Sequence, residues 1–195
     1  MAQLFYSGGA SNKFASASIG GLMSNTQIPN SQIDNLFDDV TRVEVINGRT
    51  EYRLFYIYNE SGTNYFQVSL KNIVIPVDTE ISFAVDGSAN PQTLSTEDEV
   101  PSGLSFYKFS EWNSLKIPIG NLATLKSIPV WIKRKVLQGS STVRNIDFDI
   151  DGNPNTLTIT QDFSTVQNLF DNFEIQSRSS QFLTDIDKVG EALLS

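Results

Sequence analysis

The 195-residue sequence contains no histidine and no cysteine. The lack of cysteine excludes disulfides, thiolate zinc sites and thiol nucleophiles. The lack of histidine excludes Ser-His-Asp triads, imidazole general bases and nearly all catalytic zinc or non-haem iron sites. Any chemistry on this chain is therefore restricted to carboxylates, lysines and oxygen-ligand metals such as calcium.

Long apolar runs are missing as well. No stretch approaches the ~20 apolar residues that a bilayer-spanning helix needs. The start "MAQLFYSGGASNKF" lacks a charged segment followed by an apolar one, so it is not typical of an export signal. The formal net charge of -8 argues against a nucleic-acid partner, because phosphate contacts need clustered cations. The sequence predicts a soluble protein with neither a membrane nor a nucleic acid as partner.

Residues 1–35 are rich in Ser, Ala, Asn and Gly and show no helical or strand period. They nevertheless contain too many apolar side chains for an idle linker. We interpret them as an extended N-terminal arm that becomes ordered on a neighbouring subunit, with Phe5, Tyr6 and Phe14 as interface candidates. A poorly ordered terminus is the alternative.

Residues 36–162 show the period of β-strands. "EYRLFYIYN" and "YFQVSL" alternate about the turn-forming "NESGTN", which predicts a hairpin. "EISFAVDG", "IPVWIKRKV" and "RNIDFDIDGNPNTLTIT" contain further strands. Short strands at this spacing predict a mainly β fold, an antiparallel β-sandwich of jelly-roll or immunoglobulin-like type.

Residues 163–195 change to a helical period. A capping box, Ser164 with Gln167, precedes the first predicted helix. The second predicted helix carries an apolar stripe at helical spacing, formed by Phe182, Ile186, Val189 and Leu193. A short helix is stable only when such a stripe is buried, so these four residues are further interface candidates in a helical C-terminal extension.

The segment "DFDIDG" contains the one candidate metal site. Asp147, Asp149 and Asp151 match the first half of a calcium-binding EF-hand loop. However, Thr158 occupies the twelfth position instead of the bidentate Glu, and the flanking residues alternate as in a strand. A strand with a charged solvent face is the favoured interpretation, since like charges along an edge discourage pairing with other chains. We therefore expect no cofactor, with calcium as the metal to test.

Three other charged segments are interpreted as structural. "WIKRKV" places two lysines beside Trp131, as in a strand that binds nucleic acid, but a solvated face is favoured in an acidic chain. "EDEVPSG" has adjacent carboxylates, whereas glycosidase chemistry needs two held ~5–10 Å apart across a cleft. The acidic and basic residues of "NLFDDVTRVEVINGRTEYR" are predicted to form a rim of ion pairs around a β core.

The ordered motifs resemble those of a family of small virion structural proteins of tailed bacteriophages. They comprise "SGGASN" and "SIGG", then "NLFDDVTRVEVINGRTEYRLFYIYN", then "ISFAVDGSANPQTLSTEDEVPSGLSF" and "IPIGNLATLKSIPVWIKRKV". The resemblance covers about residues 6–160 and implies a virion component, made in the host cytoplasm, without catalytic residues. The two-helix extension has no counterpart in that family.

Three functions follow as expectations. The first is a non-enzymatic virion protein, a capsid decoration or head-associated subunit that forms a homo-oligomer and contacts the coat protein. The second is a component of the portal or neck, tail or baseplate, or a receptor-binding part of the particle. The third is a carbohydrate-binding β-sandwich module that stacks sugars on Tyr65, Tyr107 and Trp112.

Overall fold

A computed structural model describes residues 2–29, 35–38, 40–74, 79–108, 116–138 and 147–151. This part of the chain is mainly β. The strands are β1 (Ala2–Tyr6), β2 (Arg49–Asn59), β3 (Tyr65–Val74), β4 (Thr79–Val85), β5 (Tyr107–Lys108), β6 (Lys116–Leu122), β7 (Ser127–Val136) and β8 (Asp147–Asp151). One 3-10 turn covers Ala15–Ala17, and one short helix, α1, covers Arg42–Asn47.

The strands form two antiparallel sheets. The five-stranded sheet has the order β1-β2-β7-β4-β5, and the three-stranded sheet has the order β6-β3-β8. The mainly β, antiparallel prediction is confirmed.

Strand β2 lies between β1 and β7 in its sheet, and the side chains on both of its faces are buried. One face carries Tyr52, Leu54 and Tyr56, and the other carries Phe55 and Ile57, as the alternation of the sequence predicts. The Phe55 side belongs to an apolar cluster that includes residues of both sheets: Phe55, Ile57, Ile81, Phe83, Val130 and Ile132 with Val68, Leu70, Ile119 and Leu122. The Tyr52 side packs under loops that contribute Ile19, Met23, Leu94, Leu104 and Phe106.

The predicted hairpin of β2 with β3 is wrong, because the two strands belong to different sheets. The buried side chain of Asn59 redirects the chain between them. It donates to the carbonyls of Thr63 (2.8 Å) and Leu122 (3.2 Å), and it accepts from the amide of Ser61 (2.9 Å). The β6–β7 connection also binds the Asn59 backbone, so two of the connections between the sheets, β2–β3 and β6–β7, meet at this residue.

The expected N-terminal arm is instead part of this chain's own sheet over residues 2–29. β1 pairs with β2 from Ala2↔Asn59 to Tyr6↔Phe55, and residues 24–28 run along its other edge. The side chain of Asn12 stabilises the polar loop that follows β1. Asn12 is buried, and its amide nitrogen donates to the Phe14 carbonyl (3.0 Å) and to Ser18 Oγ (3.2 Å). Five residues are too few for a strand period to stand out, which is why the sequence pattern did not show β1.

The described residues between 36 and 48, all but residue 39, form no strand, although the sequence predicts that the β domain begins here. Thr41 and Glu44 make a capping box, in which each side chain binds the other residue's amide, and this begins α1. Gly48 follows α1 with a φ of 75°, which favours glycine, and the chain then enters β2. The proposed domain boundary near residue 162 and the predicted C-terminal helices lie outside the described residues.

Candidate functional site

The largest concentration of charged groups in the described chain is an ion-pair cluster at one end of the five-stranded sheet. It comprises Asp38, Glu44, Arg49, Glu51, Arg53, Glu97 and Arg134. The sequence predicts a rim of ion pairs around the β core here. The centre of the cluster is buried: Glu51, Arg53 and Arg134 are each at most 1% exposed, because residues 35–38 and the loop after β4 cover the sheet here.

The pair Arg134–Glu51 forms the centre of the cluster. The two residues are direct partners in the register of β7 and β2. Arg134 binds the Glu51 carboxylate through Nε (2.7 Å) and Nη2, and both of its terminal nitrogens donate to the carbonyl of Asp38 at 3.1 Å. One guanidinium thus joins the sheet to the segment that precedes α1.

Two further arginines on β2 extend the cluster. Arg49 pairs with three carboxylates, those of Glu44, Glu51 (3.2 Å) and Glu97. Arg53 pairs with Glu97 and lies 3.5 Å from Asp38 Oδ1, and it also donates to the Tyr52 carbonyl. Among the described residues, none accepts a hydrogen bond from Arg53 Nε.

Phe37 provides the apolar contact of the cluster. The guanidinium carbon of Arg134 lies 4.5 Å from the centre of its ring, and that of Arg53 lies 5.5 Å away. A guanidinium is weakly hydrated and stacks on an aromatic face, so arginine is better suited than lysine to such a buried position.

Burial lowers the pKa of both Arg53 and Arg134, while the carboxylates of Glu51 and Asp38 act in the opposite direction. Both groups remain cations, since an arginine side chain stays protonated in proteins. Carboxylate oxygens of Asp38, Glu51 and Glu97 lie within 4.8 Å of one another, a spacing that a metal ion could use. Guanidinium groups already bind these oxygens, so the arrangement is suited to fastening chain segments together.

The interface candidates of the N-terminal segment separate into three environments. Tyr6 is a core residue of its own chain, so its assignment to an interface was wrong. Phe5 is partly buried and meets the ring of Tyr58 edge-on at 5.7 Å. Phe14 is 68% exposed and stays an interface candidate. The stripe Phe182, Ile186, Val189 and Leu193 lies outside the described residues.

The candidate calcium residues Asp147, Asp149 and Asp151 belong to β8, whose backbone pairs with β3. The favoured interpretation of a strand is therefore confirmed for the backbone. The structure describes no side chain of this strand, so calcium binding stays a prediction.

The basic strand "WIKRKV" is β7. Trp131 is fully buried in the apolar cluster beneath the loops, and its indole nitrogen donates to Asp86 Oδ2 at 3.1 Å. Lys135 lies 3.6 Å from Glu80, an acidic neighbour on β4. The tryptophan thus serves the core and is not available to stack on a nucleotide base.

Of the aromatic residues expected to bind sugars, Tyr65 packs against the core and Tyr107 is 45% exposed. Trp112 lies outside the described residues. Tyr107 is thus the one exposed member of this set in the described chain, and sugar binding through these aromatics stays a prediction.

Two members of the cluster, Arg134 and Glu97, were not assigned to it from the sequence. Arg134 belongs to the separate segment "WIKRKV", and its pairing with Glu51 depends on the register of β7 with β2. Glu97 comes from a distant loop, and no local pattern predicts that it reaches Arg53 across 44 residues of chain.

Within the described ranges, no helix is long and apolar enough to cross a bilayer. Comparisons of the chain with protein-family models, with curated protein sequences and with solved structures find no match.

Proposed function

We propose that this protein is a non-enzymatic structural component of a bacteriophage virion, a decoration or head-associated subunit that works through repeated contacts with its own copies and with coat protein. The proposal rests on the ordered motifs that resemble the phage family and on the use of the charged groups. The described carboxylates that converge in space are engaged by arginines and hold the fold together. They are thus poorly placed to act as a catalytic acid and base.

The observation that carries the proposal is the presentation of Phe14. Its backbone amide donates to Asn12 Oδ1 (2.9 Å), and its carbonyl accepts from Asn12 Nδ2 (3.0 Å) and from Ser18 Oγ (3.2 Å). The backbone is thus fixed by a buried polar group while the aromatic side chain is 68% exposed. Isolated exposed apolar residues are common on protein surfaces. Phe14 differs because its backbone is already held, so binding to a partner's pocket costs little backbone entropy.

The finer architecture belongs to the same proposal. The apolar cluster with residues from both sheets supports a sandwich, in which the three-stranded sheet covers one face of the five-stranded one. The apolar stripe from Phe182 to Leu193 would add a second contact between subunits, because a short amphipathic helix needs a partner for its apolar face.

Light scattering of the purified full chain tests self-association. We expect a defined oligomer, a shift toward the 21.6 kDa monomer on Phe14→Ser, and no shift on the control Leu125→Ser, which removes an apolar residue of similar exposure (61%). A wild-type protein that stays monomeric at every concentration, or an equal response to both substitutions, would contradict the proposed role of Phe14.

A further inference from the structure

Residues 92–102 form a loop that folds back over the end of β2, and we refer to it as the lid loop. Its base is closed by Gln92, whose side chain donates to the Ser102 carbonyl and accepts from the Ser102 amide, both at 3.0 Å. Leu94 is buried, and its amide donates to the Ile19 carbonyl at 2.9 Å. The base of the lid loop is therefore attached to the protein by apolar packing and by uncharged hydrogen bonds.

The tip of the lid loop, residues 95–100, is attached differently. Its residues are exposed except for Glu97, which is partly buried. The Glu97 carbonyl accepts from the Tyr52 amide at 2.7 Å, and its carboxylate pairs with Arg49 and Arg53. In the part of the chain that the structure describes, all hydrogen bonds and ion pairs between this tip and the sheet pass through Glu97.

Bonds within the tip keep it compact without fixing it to the sheet. The Ser95 amide donates to Glu99 Oε2 at 2.6 Å, and the Glu99 amide donates to the Thr96 carbonyl at 3.3 Å. The tip can therefore keep its own shape when it separates from β2.

The Glu97 carboxylate has both cationic and anionic neighbours. Arg49 and Arg53 attract its carboxylate, but Asp38 and Glu51 place oxygens within 4.8 Å of it, and Asp98 and Glu99 add negative charge on the tip itself. Arg49 is also shared with Glu44. Because the other carboxylates of the cluster remain to pair with both arginines, Glu97 can leave without stranding either cation.

We propose that the lid loop is an acid-sensitive latch, closed by the Glu97 carboxylate and opened when that carboxylate is neutralised. Opening would uncover Arg49, Arg53 and the free N–H of Tyr52 at the edge of β2. These groups together suit a carboxylate-bearing extended segment, since the guanidinium groups bind the carboxylate and the strand edge supplies a backbone donor. Because acid would neutralise the carboxylate of such a segment as well, the segment would enter at neutral pH by displacing the Glu97 carboxylate from Arg49 and Arg53.

Local opening distinguishes this latch from ordinary acid unfolding. Exposure of Arg53 to water removes the cost of its burial, and Leu94 keeps the base of the loop in place. β7 lies at the centre of the sheet, and the hydrogen bonds and ion pairs of Glu97 go to β2. The backbone hydrogen bonds of β7 should therefore stay intact when the lid loop opens.

Residue-resolved amide hydrogen exchange of the full chain by NMR tests the latch. At about pH 7, Glu97→Gln removes the charge and keeps the shape. We expect the Tyr52 amide to exchange about 10- to 100-fold faster than in the wild type, with the Val130 amide of β7 unchanged. The matched control is Glu80→Gln, which neutralises a carboxylate of β4 that pairs with Lys108 of β5 and Lys135 of β7, and it should leave Tyr52 exchange unchanged.

The wild-type protein supplies a second measurement that needs no substitution. As the pH falls from about 5 to about 3, through the range in which an ordinary glutamate is protonated, the exchange of Tyr52 relative to Val130, corrected for intrinsic exchange, should begin to rise toward the ratio found for Glu97→Gln. Two results would overturn the proposal: a Tyr52 amide that stays protected in Glu97→Gln, or a rise in exchange of Tyr52 and Val130 together. Neither result bears on self-association through Phe14, so the two proposals fail separately.

Discussion

Replacing Arg134 by Met removes the centre of the ion-pair cluster and should strongly destabilise the protein. The substitution removes both bonds to the Glu51 carboxylate and both donors to the Asp38 carbonyl, at a site only 1% exposed. Breaking a buried ion pair from one side costs about 3–5 kcal/mol of unfolding free energy, because the Glu51 carboxylate stays buried and keeps only its contact with Arg49 Nε at 3.2 Å. For a chain of this size the loss corresponds to roughly 6–20 °C in the midpoint of thermal unfolding.

The assay is equilibrium unfolding in urea, followed by circular dichroism, with a double-mutant cycle. Glu51→Leu together with Arg134→Met replaces both charges, so we expect the double variant to be more stable than the sum of the single losses predicts, by about 1–3 kcal/mol. Lys135→Met on the same strand is the control, since its ion pair with Glu80 is partly exposed and should be worth at most about 1 kcal/mol. A loss below about 1 kcal/mol for Arg134→Met, or strictly additive losses in the cycle, would refute a central structural role for this pair.

Three further predictions concern single residues. Burial raises the pKa of Tyr56 from 10.0 to about 12. Folding therefore gains from the neutral side chain below pH 10, and about 2–3 kcal/mol of unfolding free energy should be lost as the pH rises to about 12. Tyr56→Phe should abolish this loss when the unfolding free energy is measured against pH. Gly20 has a φ of 123° and a Cβ there would lie 2.0 Å from the Gln92 carbonyl oxygen, so Gly20→Ala should cost about 2–4 kcal/mol in urea unfolding, whereas Gly87→Ala should be nearly neutral. Thr41→Ala removes the capping side chain of α1 and should cost about 1 kcal/mol, and a loss below about 0.3 kcal/mol would mean that the cap contributes little.

The strand pattern of the sequence predicted much of the five-stranded sheet. In β2, β4 and β7 the side chains alternate between two faces, and local spacing is enough to assign them. The same logic failed for the partners of β2. Neighbouring strands joined by a short turn are usually paired, whereas the buried amide of Asn59 also binds the Leu122 carbonyl, a contact 63 residues distant that no local pattern reveals.

The candidate site was predicted in part, for a related reason. The charged residues between Asp38 and Arg53 are visible as a cluster in the sequence, and their pairing with one another is what charge balance suggests. Their burial is not visible, because it depends on Phe37 and on Glu97 of the lid loop, which pack there only in the folded chain. A loop that carries several acidic residues looks like a solvated turn until its arginine partners are known.

The N-terminal segment shows how composition can mislead. Its Ser, Asn and Gly content is typical of an unstructured terminus, yet Asn12 and Ser24 use their side chains to satisfy buried backbone groups. Any truncated form for functional work should therefore keep residues 2–29, because β1 belongs to the same core as Phe55.

The measurement that tests the central claim most directly is quantitative mass spectrometry of this protein in virions purified from a lysate of the host that expresses its gene. The proposed function predicts that the protein copurifies with the particles at a fixed ratio to the coat protein. A high copy number would support a position on the head. A low copy number that matches the symmetry of the tail would support a position in the neck, tail or baseplate. Absence from purified particles would contradict the proposed role in the virion.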